Sequence, residues 1–200
     1  MKYIFTQLEE DIRDFYHTLS ITNPHEIDMY HIANTFDIWI EYENEKSDLI
    51  ETTNGMFTIS LDNRLTTQEQ WQDFGHEFGH YVKHVGKQHK LRKHFRDLQE
   101  YQADNFMYQF CVPTFMLFNY QTANYLNIES GITFVSEKFN VTEEFAKNRL
   151  IHYRNQLMQA KADEEHRMYM ETLYPKAPPY SKETNRILAQ LHRQLTNKSK

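Results

Sequence analysis

The stretch F-G-H-E-F-G-H-Y-V-K-H, residues 74–84, constrains this chain most, because it sets His76 and His80 four residues apart with Glu77 between them. Thr66 or Thr67, with Glu69 or Gln70 three residues on, resembles a capping box. The pattern predicts a helix that starts there, carries the histidines to about Val85 and stops at Gly86. On such a helix four residues advance one turn and rotate by about 40°, so both imidazoles project from one face and can converge on a single tetrahedral ion. Phe74, Phe78, Tyr81 and Val82 remain to bury against a core.

Glu77 lies one step round the helix, where it cannot share the histidines' ion but can reach a water bound to it. Two histidines in H-E-x-x-H spacing with an intervening glutamate form the zinc-hydrolase pattern. Zinc lowers the pKa of its water towards about 7, and a neighbouring carboxylate can take the proton as that water attacks a carbonyl. A catalytic zinc needs a third protein ligand and an open position. Glu100 is the best candidate, since it stands early in the next predicted helix, from about Lys93 to Cys111, and the long connection lets that helix return across the first. Asp104, four residues on and on the same face, is placed to accept a hydrogen bond from a ligand histidine and fix its tautomer. Ala103 is small enough for close helix approach. His84 continues the four-residue series but is rotated too far round to be a third ligand from the same helix, and is read as a packed or supporting histidine.

Around this centre the periodicity predicts an α+β fold, mainly helical. Ile4, Leu8, Ile12, Phe15, Tyr16 and Leu19 mark an amphipathic helix, and Asn23-Pro24 opens a second that carries Ile27, Tyr30, Ile32, Ala33 and Phe36. Ile38 to Tyr42, Asp48 to Thr53 and Met56 to Leu61 read as strands, with Asn54-Gly55 as a hairpin turn, giving a small antiparallel sheet of about three strands ahead of the motif helix. Pro113 ends the second motif helix. Short helices follow between Thr114 and Leu126 and between Ile132 and Phe139, then a capped one from Thr142. Residues 1–158 form the expected domain and 159–200 a charged helical tail interrupted by Pro175 and Pro178-Pro179.

Bulk properties narrow the setting. With 28 acidic against 22 basic residues the formal charge is -6, so the chain lacks the electrostatic footprint of a nucleic-acid binder. The basic stretch from Lys83 to Arg96 reads as a solvated loop. Val135 to Thr142 imitates a helix-turn-helix junction with few basic residues after it. A single cysteine, Cys111 among Phe110, Val112 and Pro113, excludes an internal disulfide and reads as a buried thiol. No apolar run approaches the roughly 20 residues a bilayer span requires, and the N-terminus turns acidic too early for a signal peptide. The expected location is the cytoplasm.

The segments HEFGHYVKH and EYQADNFMYQFCVP together are similar to the ImmA/IrrE family of metallopeptidases, which pair H-E-[apolar]-G-H with a downstream E-x-x-A-[DN]-x-F and a closing proline. MFTISLD and VSEKFNVTEEFAKNRL extend the resemblance over roughly residues 25–155, and Gly75 stands where the family often has alanine. The resemblance implies a zincin-like fold, one zinc ion on His76, His80 and Glu100, Glu77 as general base and Asp104 in support. It also implies a protein substrate: a cytoplasmic helix-turn-helix repressor of a phage or integrative element, cut to release gene expression.

Zinc peptidases commonly bind an extended substrate along a sheet edge beside the metal. If the strand Met56 to Leu61 is that edge, its backbone at Phe57, Thr58, Ile59 and Ser60 would pair with the peptide. A donor must also stabilise the developing oxyanion. Tyr101, Tyr108, His84 and His152 are candidates, and the sequence does not choose among them. Two other readings are a zinc-fold binding module that does not cut, against which the retained Glu77 argues, and the peptidase of a toxin–antitoxin or stress-response switch, which adjacent genes would distinguish.

Overall fold

A computed structural model describes residues 3–53, 55–83, 93–120, 128–174 and 179–198. The expected helix stop at Val85–Gly86, the turn residue Asn54 and His84 lie outside these residues. Helix α1 (Gln7–Thr18) starts at Thr6 with the reciprocal bonds its sequence permits: the Glu9 N–H donates to Thr6 Oγ1 and the Thr6 N–H to Glu9 Oε2. Its apolar stripe buries Ile12 and Tyr16.

The helix expected from Pro24 to Phe36 is divided in two. The Glu26 carboxylate accepts from the backbone N–H groups of Thr22 at 2.7 Å and Asn23 at 3.0 Å, which closes Pro24–Glu26 into a single 3-10 turn. Ile27 is then extended, and Asp28 restarts the chain as the cap of α2 (Met29–Thr35) by accepting from the N–H groups of Tyr30 and His31. Two caps five residues apart, at Asn23 and Asp28, outcompete one continuous apolar stripe.

Three strands follow: β1 (Ile38–Glu43), β2 (Asp48–Glu51) and β3 (Phe57–Asp62). The β2–β3 hairpin is antiparallel as expected, with Gly55 at φ 77° in its turn. The sheet is nevertheless mixed rather than antiparallel, because its order is β1-β3-β2 and β1 runs parallel to β3. Residues 44–47 cross the end of β3, held there by the Asp62 N–H donating to Ser47 Oγ at 3.0 Å and the Asn63 N–H donating to Glu43 O at 2.8 Å. The middle position falls to the most buried strand: Ile59 and Leu61 are fully buried.

Helix α3 (Thr67–Lys83) carries the motif, and α4 (Lys93–Cys111) returns against it. Of the two possible caps, Thr66 with Glu69 is the one formed: the Thr66 N–H donates to Glu69 Oε2 at 2.8 Å and the Glu69 N–H to Thr66 Oγ1 at 3.3 Å. Pro113 separates α4 from α5 (Thr114–Asn119), and α6 (Ile128–Phe139) turns through Asn140, at φ 52°, into α7 (Glu143–Leu173). The core between sheet and helices is largely aromatic. Phe74 stacks on Phe78 with ring centroids 5.8 Å apart, Phe106 on Phe110 at 5.2 Å, and the Tyr16 hydroxyl donates to Phe110 O at 2.9 Å. Cys111 is buried beside them, and burial pushes its thiol well up from the usual cysteine range.

One polar cluster lies inside this core. Arg149 of α7 is fully buried and donates to Val112 O at 3.0 Å, Gln109 Oε1 at 2.8 Å and Thr114 Oγ1 at 2.7 Å; the Thr114 hydroxyl in turn donates a hydrogen bond to Glu9 Oε1 at 2.5 Å. Burial pulls the Arg149 guanidinium down to about 10, against the opposing influence of Glu9. The cluster ties α1, the α4–α5 junction and α7 together.

By packing, the chain divides into residues 2–160 and 161–200. The second comprises the end of α7 and α8 (Lys182–Lys198), and carries exposed ion pairs such as Lys161 with Glu165 and Arg167 with Glu171. No helix among the described residues is long and apolar enough to cross a membrane.

Removing one member of a buried charged network leaves its partners unsatisfied. Arg149→Ala should therefore lower unfolding free energy by about 3–5 kcal/mol in urea denaturation. A loss under about 1 kcal/mol would show that the network is not structural.

Candidate functional site

The site begins with two glycines that let α3 and α4 approach. A Cβ at Gly79 would meet Phe106 Cδ1 at 3.0 Å and Ala103 Cα at 3.4 Å, and one at Gly75 would meet Cys111 Sγ at 2.6 Å. Each glycine precedes a histidine, and Ala103 precedes Asp104. The packed faces thus adjoin the faces that carry the polar groups.

Across this contact, His76, His80 and Glu100 come together. The two Nε2 atoms are 3.0 Å apart, His76 Nε2 is 3.4 Å from Glu100 Oε2, and His80 Nε2 is 3.7 Å from Glu100 Oε1. Bonds of about 2.0–2.2 Å around a tetrahedral ion place its ligand atoms about 3.3–3.6 Å from one another. The three distances bracket that spacing, one a little shorter and one a little longer, and the side chains form a group able to hold a metal ion with a fourth position left open. Asp104 takes the other nitrogen of His76: Nδ1 lies 2.9 Å from Asp104 Oδ1, so the Nδ1–H donates there and Nε2 keeps its lone pair for the shared position.

Glu77 is buried beside this group, and its carboxyl is pushed up to about 8, first by burial and then by Asp48, Asp73 and Glu100, with Lys46 acting against them. It faces a cleft of about 570 Å³. Lys46 and Ser47, just before β2, form one wall; Asp73, His76 and Glu77 of α3 lie on another; Glu100, Asp104 and Tyr108 come from α4; and Thr142, Phe145 and Asn148 close it from the start of α7. Two bonds hold the walls: Ser47 Oγ donates to Asp73 Oδ2 at 2.5 Å, and the Thr142 N–H donates to Gln72 Oε1 at 2.8 Å.

The expected use of β3 as a substrate edge does not hold. Phe57, Thr58, Ile59 and Ser60 have backbone partners in β1 on one side and β2 on the other, so that backbone has no free edge. The edge beside the cleft is β2, whose Asp48 acts on Glu77. Tyr101 is 70% exposed and does not line the cleft. Tyr108 does, and His152 lies behind it with ring centroids 5.1 Å apart. Sequence reasoning missed Ser47, Asp73 and Asn148. Asp73 was accessible, four residues before Glu77 on one helix face, whereas Ser47 and Asn148 reach the site only through tertiary packing.

Residues 33–151 match the Peptidase_M78 family, the IrrE N-terminal-like domain. The chain is similar to the phage-like element PBSX protein XkdA of Bacillus subtilis (strain 168), 43% identical over 145 residues that make up 72% of each protein. It is also similar to protein YqaB of the same strain, 36% identical over 160 residues, 80% of this chain and 91% of that one. Among solved structures, a Mycobacterium tuberculosis transcriptional regulator shares the fold with a TM-score of 0.50 at 12% identity. That match covers 70% of this chain and spans 44% of the regulator.

Gly75 tests the helix approach. Gly75→Ala forces its methyl onto a buried sulfur and should cost about 1–3 kcal/mol of stability. The double variant Gly75→Ala with Cys111→Ala should recover most of that loss relative to Cys111→Ala alone. Additive losses in thermal unfolding would show that the contact does not limit the approach.

Proposed function

The chain belongs to the IrrE N-terminal-like peptidase family, and from that we propose that it is a zinc-dependent endopeptidase that cuts a helix-turn-helix repressor of a phage or integrative element in the cytoplasm. The observation that carries the reading is the convergence of His76, His80 and Glu100 beside the buried carboxyl of Glu77. Two imidazoles and a carboxylate with a fourth position open are a zinc donor set. Zinc held there supplies a Lewis acid that polarises the scissile carbonyl and brings the pKa of its water towards about 7.

The residues of the chain divide the remaining work. Glu77 takes a proton from the attacking water as the new C–O bond forms and delivers it to the amide nitrogen as the C–N bond breaks; the carboxylic acid so formed passes its proton on to the freed amine, leaving a carboxylate and an ammonium group. Asp104 holds His76 in the tautomer that keeps Nε2 free for the metal. The exposed edge of β2, with Lys46 and Ser47 leading into the cleft, is the place for an extended substrate to add as a further strand, the role first expected of β3. A phage-element setting is supported by the relative XkdA, named as a protein of the phage-like element PBSX. A substrate from the same kind of element follows from the family resemblance carried by HEFGH and EYQAD.

Purified protein should carry about one zinc per chain by elemental analysis, and a preparation that neither contains nor takes up zinc at neutral pH overturns the reading. Glu77→Gln should keep zinc yet lose at least about 100-fold in cleavage of a repressor co-expressed from the adjacent gene; wild-type cleavage by this variant removes Glu77 from its role. Glu100→Ala should weaken zinc binding more than Asp104→Ala in a competition titration with a chelator. The reverse order would exchange the two assignments.

A further inference from the structure

Attack on a peptide carbonyl moves charge onto its oxygen, and a zinc site shares that charge with a hydrogen-bond donor placed beside it. We propose that Tyr108 is this donor, a catalytic residue whose hydroxyl bonds the carbonyl oxygen as it becomes an oxyanion. The inference rests on the peptidase reading above and names a further participant in the same reaction.

Position comes first. Tyr108 stands four residues after Asp104 and eight after Glu100 on α4, so the three side chains share one helix face and all line the cleft. The phenol is also held in place. Its ring packs on Phe145 with centroids 4.6 Å apart and meets the His152 ring edge-on at 5.1 Å. Asn148 Nδ2 donates to Tyr108 Oη at 3.4 Å, a contact in which the phenol oxygen accepts and its own proton is not consumed. The result is a hydroxyl donor held by two rings and an amide in the lining of the cleft that also contains His76, Glu77 and Glu100.

Other polar groups of the cleft lining are engaged differently. The Ser47 hydroxyl donates a hydrogen bond to Asp73, Asn148 donates to Tyr108, and Gln72 accepts from the Thr142 N–H on the wall between α3 and α7. Lys46 acts on Glu77, opposing the rise of its carboxyl, from the β2 side. Of the sequence candidates, Tyr101 is outside the lining, and His152 meets Tyr108 without lining the cleft itself. No proton is transferred by Tyr108: it donates a hydrogen bond while Glu77 carries the proton between water and leaving amine.

Tyr108→Phe deletes the hydroxyl and keeps the packed ring. The full-length zinc-loaded variant and wild type are compared for binding of a phosphinic pseudo-tripeptide, whose tetrahedral phosphinyl oxygens mimic the oxyanion, and for zinc content. Wild type should bind the probe at least about 10-fold more tightly, with zinc content equal in both proteins. Repressor cleavage by the variant should fall about 100-fold in kcat, with KM within about twofold of wild type. Equal affinity of the two proteins for the probe, or a loss confined to KM, overturns the assignment. If Glu77→Gln is inactive while Tyr108→Phe cleaves normally, only the Tyr108 inference falls. Normal cleavage by Glu77→Gln removes the reading beneath it.

Discussion

The close contact between α3 and α4 is the constraint on which the site depends. Gly75 and Gly79 present no side chain to α4, and their neighbours His76 and His80 turn about 100° from them, towards Glu100 and Asp104. One periodicity therefore sets both how near the helices lie and where the donors meet. A metal-ligand constellation tolerates displacement of only about 0.5 Å, so a methyl group wedged between these helices would alter chemistry as well as packing. The size of Cys111 matters for the same reason. Its sulfur occupies the volume that an alanine at position 75 would need, which gives a physical account of why glycine stands there in this chain.

The walls of the cleft are secured by polar contacts that reach into the core. Arg149 anchors α7 to the α4–α5 junction through three hydrogen bonds and, through Thr114, to Glu9 of α1. Gln72 on the motif helix receives the first N–H of that wall at Thr142. On the opposite side Ser47 joins Asp73 to the end of β3, so the start of the edge strand is fixed against the helix that bears Glu77. A buried cationic network is a costly way to bind helices together, and apolar replacements of equal volume commonly stabilise a protein as well or better. Here it also sets the direction of α7, from which Phe145 and Asn148 hold Tyr108.

Features encoded within one or two helical turns were legible in the sequence. The H-E-x-x-H spacing and the Thr66–Glu69 cap placed α3, and the i,i+4 relation of Glu100 and Asp104 was enough to bring both to the histidines. The β2–β3 hairpin was readable from Asn54-Gly55, but strand order was not. A four-residue link after β1 is compatible with a hairpin, and only burial of Ile59 and Leu61 from both sides decides that β3 takes the middle. From that one error the misplaced substrate edge followed. The split of the second helix came from competing caps at Asn23 and Asp28, which a count of apolar periodicity does not weigh. Ser47 and Asn148 were invisible because their roles depend on contacts across 26 and 40 residues of chain.

The charges around Glu77 bear on what a cation held at the centre of the cleft would do. Burial, Asp48, Asp73 and Glu100 all favour the protonated form of Glu77, and Lys46 alone among these named influences opposes them, so the carboxyl rises to about 8. In that form it cannot serve as a base at neutral pH. A divalent ion on two neutral imidazoles and one carboxylate would leave the cluster with a net charge of about +1 where Glu100 alone contributes -1, reversing the field felt by Glu77. Under the proposed function a metal held there would favour the ionised form of Glu77, the form able to accept a proton. The fold, for its part, buries most of Glu77 at the cleft wall, where that field would be screened less than in bulk water.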